Sequence, residues 1–351
     1  MRDMMSSSVP KHVGIIMRFV LMIWLAGFAC IAAAEPSADL TYQLKASVAK
    51  VHVVTKSGGH GVGTGVVVAK DMVATNCHVL ANANGVNITK FGDSFAPVGL
   101  KADWKHDLCI LRFQYLDLKP VELGDASQLR YEQPMFSIGF PGGPPKPQVT
   151  YGKIKALYPL DDSVIVRTDA SFIMGASGSP VFDEAGKLIA ISTFKSPGRG
   201  AYFYNIPVNW VKALLDTPET TSLQSDLVPF WDAPPEAAPY FMQVVLPYQN
   251  EDWSELARVA QAWVKQEPST AEAHYYLAVA QAKLGRDADA KKSFQQTLVL
   301  QPQHPSSLIG LGLLASRAGN SDEVARMHAA LQAIHVELDE AFNLALKEQA
   351  Q

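Results

Sequence analysis

Cysteine is scarce here: three residues in 351, at positions 30, 77 and 109. That is too few for a small scaffold stapled throughout by disulfides. An excess of basic charge is also lacking, since 30 Lys+Arg against 34 Asp+Glu leave a formal net charge of −4. Without a basic face the chain has no electrostatic footprint for nucleic acid. The apolar run from Phe19 to about Ala34 falls short of the roughly 20 residues that a membrane-spanning helix needs. What the chain has in quantity is apolar side chains, 48% of residues against 18% charged. Such a composition describes a globular protein with substantial cores, not a disordered one. At 351 residues, two folded units are the starting expectation.

The N-terminal apolar run is preceded by Arg18 and leaves through small residues at Ala32 and Ala34. This is the layout of a secretory signal peptide over residues 1–34, cut after Ala34, and it implies an exported protein, periplasmic or secreted. An uncleaved anchor is the alternative. Met17 could be the true start, and "GFAC" lacks the leucine three residues before Cys30 that a lipoprotein signal favours. After cleavage no stable membrane insertion is expected.

Residues 39–216 are rich in short β-branched or aromatic runs, among them "KASVAKVHVVTK", "DLCILRF" and "KLIAISTF". Gly, Pro, Asn and Asp separate them, which predicts an antiparallel sandwich or barrel. "VNWVKALLD" has helical spacing and closes a first unit over 35–216. Residues 217–239 carry five prolines and several acids, the composition of a linker. From Tyr240 to the end, over 240–351, Ala, Leu, Gln and Glu recur with helical periodicity. Leu277, Ala278, Gly285, Ala290, Phe294 and Pro302 stand at the offsets of a tetratricopeptide repeat, and Leu311, Gly312 and Gly319 recur 34 residues on. Each helix pair would have an apolar side that only a stacked neighbour covers. A generic helical bundle is the alternative.

One stretch raises a chemical question. "MGASGSPVFD", residues 174–183, crowds Gly175, Ser177, Gly178 and Ser179 into a turn that feeds an apolar strand. A serine hydroxyl becomes a nucleophile when a base takes its proton and donors receive the oxyanion. Gly175 lets the backbone turn so that its own amide and that of Ser177 can converge. Among candidate bases, His52 lies inside an alternating strand and His60 in a glycine-rich turn, whereas His78 in "VATNCHVLANA" follows an apolar strand. For the acid that orients the base, Asp107 sits at the edge of the strand "LCILRF", while Asp103 reads as a turn cap. A carboxylate so anchored can hold the imidazole tautomer.

The order His78, Asp107, Ser177 is that of a chymotrypsin-like triad. With "GTGVVV", "ATNCHVL", "DLCILRF", "FSIGFPGG" and "VRTDASFIMGASGSPVFDEAGKLIAIST" in sequence, residues 39–216 resemble the HtrA (Deg) serine proteases. The resemblance implies an all-β double barrel of trypsin-like fold, followed by the all-α helical repeats. It further implies His78 as general base, Asp107 as its orienting acid and Ser177 as nucleophile, with the Gly175 and Ser177 amides as oxyanion hole. Peptide bonds of protein substrates would be hydrolysed through an acyl-enzyme, with no metal or organic cofactor. The sequence departs from the family at Ala176, usually Asn, and at Ser179, usually Gly. It also lacks a PDZ-like segment, whose place the helical repeats take. A fold kept only for binding, with both units serving as an adaptor, is the alternative.

In that fold Ser171, six residues before the nucleophile, lies at the base of the primary specificity pocket, with Ser192, Thr193, Phe194 and Phe203 as walls. No acid stands there for Lys or Arg, so small to medium uncharged side chains are expected. Because His78 and Asp107 must touch, Cys77 and Cys109 are brought close, as a disulfide or as two buried thiols. The helical repeats are expected to bind a protein or peptide partner, or to cap the first unit.

Overall fold

A computed structural model describes residues 36–198, 200–220 and 227–350. The signal-peptide expectation over residues 1–34 therefore lies outside the described residues. A helix α1 (Ala38–Ala46), capped by the Ser37 side chain, leads into the first sheet. That sheet comprises β1 (Val48–Thr55), β2 (His60–Ala69), β3 (Met72–Thr75), β4 (Ala83–Lys90), β5 (Asp93–Phe95), β6 (Gly99–Asp103) and β7 (Leu108–Arg112). Its order is β5-β4-β1-β2-β3-β7-β6, and it is not closed by a ladder between β5 and β6. Between β3 and β4 the chain makes a single helical turn, α2 (Cys77–Leu80).

The second sheet closes. Strands β8 (Pro134–Gly139), β9 (Gln148–Leu160), β10 (Ser163–Thr168), β11 (Pro180–Asp183), β12 (Leu188–Lys195) and β13 (Phe203–Pro207) form a barrel in the order β10-β13-β12-β11-β8-β9. Closure removes the exposed strand edges that an open sheet must protect. The inward side chains, including Phe136, Ile138, Ile154, Ile165, Phe182 and Ile191, are fully buried. Helix α3 (Val208–Leu215) packs its apolar face against both halves, with Val208 and Val211 buried.

The C-terminal region is helical throughout: α4 (Tyr240–Gln243), α5 (Val245–Gln249), α6 (Trp253–Gln266), α7 (Ala271–Lys283), α8 (Asp287–Leu300), α9 (Pro305–Arg317), α10 (Ser321–Ile334) and α11 (Val336–Gln349). The starts of α7 and α9, Ala271 and Pro305, are 34 residues apart, as are those of α8 and α10, Asp287 and Ser321. Ala278, Ala290 and Phe294 are buried where these helices meet. Gly310 gives Phe294 its room, since a Cβ there would lie 2.4 Å from the ring.

The helices do not hang from a free tether. The described residues from Pro36 onward form one compact unit, and a single apolar core runs from the barrel into α4, α6 and α7. Phe241 of α4 stacks on Tyr158 of the barrel at 4.7 Å and contacts Tyr204 at 5.5 Å. On α7 the buried Glu272 accepts hydrogen bonds from the Tyr131 hydroxyl and from His304 Nε2. Burial would raise the Glu272 value, but His304, Arg167 and Tyr131 favour the charged form and hold it below the usual range. Part of the stretch read as linker is also packed: Phe230 is buried in that same core. Two aromatic side chains at 230–231 outweigh the prolines and acids around them, because burying such rings is strongly favourable.

Candidate active site

His78 is placed by α2, one residue after Cys77, at the end of the buried strand β3. Asp107 enters from the turn before β7, wholly buried and with φ of +58°. Left-handed backbone at a non-glycine residue costs energy and persists only when surrounding contacts hold it. Those contacts are on hand. The His78 backbone N–H donates to Asp107 Oδ1 at 2.7 Å, and His78 Nδ1 donates to Asp107 Oδ2 at 2.6 Å. The Asp107 carbonyl accepts from Cys77 N at 3.2 Å and Asn76 Nδ2 at 3.0 Å. A carboxylate only accepts, so the imidazole carries its hydrogen on Nδ1 and keeps Nε2 as an acceptor.

Next to these residues Cys77 and Cys109 are joined by a disulfide, with Cα atoms 4.9 Å apart. It ties the turn bearing His78 to the strand that follows Asp107.

Ser177 lies on the loop between β10 and β11. Gly63 marks how near that loop comes to α2: a Cβ there would sit 2.6 Å from Val79 Cγ1 and 3.3 Å from the Ser177 carbonyl. Gly175 and Gly178 have φ of +94° and +87°, and a Cβ on Gly178 would meet the Thr64 carbonyl at 2.0 Å. Only glycine fits there. Among the described residues the amides of Gly175 and Ser177 donate to no protein group, although both carbonyls are bonded, by Thr64 Oγ1 and Thr64 N. No hydrogen bond joins Ser177 Oγ to His78 among the described residues. In unliganded sites that bond is often long.

The structure separates the residues expected to wall the specificity pocket. Ser171 and Ser192 do line one cavity, with Thr168, Phe172, Ala176 and Asn205. It measures about 20 Å³, room for a single water. Thr193 and Phe194 do not line it. Thr193 Oγ1 accepts from Asn76 Nδ2 and donates to the Ile191 carbonyl. Phe194 is buried against Tyr204 at 4.7 Å. A register shift on β12 between Ser192 and Phe194 turns successive side chains to other neighbours. Phe203 packs on Phe172 at 5.1 Å and so bounds the cavity indirectly. Ser179, in place of a glycine, is accommodated by Gly139, where a Cβ would collide with the Ser179 hydroxyl at 1.9 Å.

The other histidines stand elsewhere. His52 bonds Thr89 within the first sheet, and His60 is exposed at the start of β2. Asp103 caps its turn, accepting from the His106 amide.

The family model of the trypsin-like peptidase domain matches residues 63–191. This span runs from β2 to β12, across both sheets. A probable periplasmic DegP-like serine endoprotease of Chlamydia muridarum is 30% identical over 164 residues, 44% of this chain and 33% of that protein. The Do-like serine protease HtrB of Bacillus subtilis is 30% identical over 171 residues, 44% of this chain and 37% of its own length. The chain thus spans about a third of the length of these relatives. Among solved structures, the active form of a Mycobacterium tuberculosis protease is similar over 55% of this chain and 92% of its own, with 20% identity and a TM-score of 0.49. An HtrA-type protease with bound tripeptide is 26% identical over 52% of this chain and 62% of its own, with a TM-score of 0.45.

Three participants at this site leave little trace in the sequence. Thr64 pins the loop that carries Ser177, and Asn76 ties Asp107 to Thr193. The third comes from beyond the domain. Trp231 Nε1 donates to Asp107 Oδ2 at 2.9 Å, and its ring stands edge-on to His78 at 5.5 Å. The signal was an aromatic pair, Phe230–Trp231, in a segment whose composition otherwise suits solvent.

Proposed function

We propose that the chain is an exported serine endopeptidase acting through His78, Asp107 and Ser177. The observation that carries the reading is the 2.6 Å bond from His78 Nδ1 to the buried Asp107 carboxylate, which leaves Nε2 as an acceptor. Ser177 Oγ attacks the scissile carbonyl while His78 Nε2 takes its proton. The tetrahedral oxyanion is received by the amides of Gly175 and Ser177, each donor of this kind being worth about 2.7–4 kcal/mol. His78 then returns the proton to the leaving amine, and water, activated by the same base, cleaves the acyl-enzyme. Asp107 stabilises the imidazolium as it forms.

The small cavity with its serine and asparagine lining favours substrates with a small, uncharged side chain before the cut bond. Export accords with the leader-like residues 1–34, with the disulfide, which persists in oxidising compartments, and with the periplasmic relatives. The helical region, repeating at 34 residues, serves a protein or peptide partner.

A fluorophosphonate probe tests the chemistry, because only a serine activated by its base reacts fast. The wild type is expected to label and to cleave casein, and Ser177→Ala to do neither while keeping its fold. Casein cleavage that survives in Ser177→Ala ends the reading. A folded wild type that never labels leaves a binding adaptor.

A further inference from the structure

We propose that Trp231 is a positioning residue for the Asp107–His78 pair, supplied by the segment that leads into the C-terminal helices. The proposal rests on the peptidase reading and adds to it a residue outside the peptidase domain.

Asp107 is fully buried, so its oxygens must find donors inside the protein. Oδ1 takes the His78 amide, and Oδ2 takes two donors, His78 Nδ1 at 2.6 Å and the Trp231 indole N–H at 2.9 Å. An indole only donates, so this contact has one polarity and cannot reverse. Two donors on Oδ2 fix the rotation of the carboxylate about its Cβ–Cγ bond, and with it the direction in which the imidazole is held. Deprived of the indole, Oδ2 keeps one donor and the carboxylate gains freedom to turn.

The indole and its neighbour Phe230 are themselves held by surrounding rings and backbone. Its ring stacks on Phe194 at 5.7 Å, and Phe194 rests on Tyr204. Its neighbour Phe230 packs edge-on to Phe194 and reaches Phe241 of α4 at 6.5 Å. The Phe230 amide donates to the Lys105 carbonyl at 3.0 Å, two residues before Asp107. The pair 230–231 therefore clamps the acid's loop by backbone and by side chain at once. A line of rings, Phe241, Phe230, Phe194 and Trp231, connects the helices to the acid.

Trp231→Phe in the full chain tests the idea, because it keeps a ring to stack on Phe194 and removes only the N–H. Active sites are titrated with the fluorophosphonate, so that kcat refers to competent molecules and partial misfolding cannot imitate the effect. The expected result is a kcat about 10- to 100-fold lower with KM unchanged and the thermal midpoint close to that of the wild type. A Trp231→Phe enzyme with wild-type kcat overturns the proposal while leaving the peptidase reading intact. So does a change confined to KM, which would make Trp231 a wall of the substrate cleft. A wild type that never labels overturns both.

Discussion

Thr64 holds Gly175 from across the cleft. Its hydroxyl donates to the Gly175 carbonyl at 2.9 Å and accepts the Phe140 amide at 3.1 Å, while its own amide donates to Ser177 at 2.8 Å. A single residue of β2, in the first sheet, thus holds both carbonyls, one by its side chain and one by its backbone, in the loop that carries Ser177. The held carbonyls belong to the Gly175–Ala176 and Ser177–Gly178 peptides, which flank the amides of Gly175 and Ser177; those amides donate to no protein group among the described residues.

Thr64→Val is the matching experiment, since it keeps the shape and loses the hydroxyl. The Gly175–Ala176 peptide then has freedom to turn, and the proposed oxyanion donors on either side of it, the amides of Gly175 and Ser177, lose a support. The expected outcome is a kcat at least about 10-fold lower with KM little changed. A stability loss of about 1–3 kcal/mol is expected alongside, because the buried Phe140 amide loses its acceptor. Steady-state kinetics with a small peptide check it, and unchanged kcat would show that the loop is held without Thr64.

The disulfide offers a cleaner measure of stability. Cys77 and Cys109 are separated by 32 residues, and closing a loop of that size stabilises by about 3–4 kcal/mol through the unfolded chain. Both cysteines are fully buried, so reductant alone is a poor test and the double variant Cys77→Ala, Cys109→Ala is preferable. Its urea midpoint is expected to fall accordingly. A loss below about 1 kcal/mol would mean that the bond adds little beyond what the surrounding core already fixes.

Legibility from the sequence follows the range of the interactions. The strands around His78 and Asp107 were readable because burial at Val73, Ala74, Ile110 and Leu111 leaves a local apolar run. The helix pairs were readable because the same small residues return after 34 positions. Trp231 and Asp107 are 124 residues apart, and a contact of that span leaves no periodic trace. Composition misled in the same place: prolines and acids at 217–239 suggest a solvated tether, yet burial is decided by one aromatic pair meeting a waiting apolar cleft. Thr193 and Phe194 show the finer limit, since a register shift in β12 reverses which side chains face the cavity.

His106, the residue before Asp107, gives the pH dependence. Burial alone would lower its value, but hydrogen bonds to Asp103 at 2.5 Å and Asp161 at 3.0 Å outweigh this and raise it above 6.5. Its ring also stacks on Trp210 of α3 at 3.9 Å. A group whose value is raised by folding contributes stability that is complete below its unfolded value and fades as the pH climbs through the folded one. The wild type is therefore expected to lose more thermal stability between about pH 6 and pH 9 than His106→Gln, by a few degrees. Partial exposure of Asp161 screens the pair and keeps the effect modest. Melting curves of both proteins across that range decide the matter. Parallel curves would show that Asp103 and Asp161 hold the turn whether or not His106 is charged.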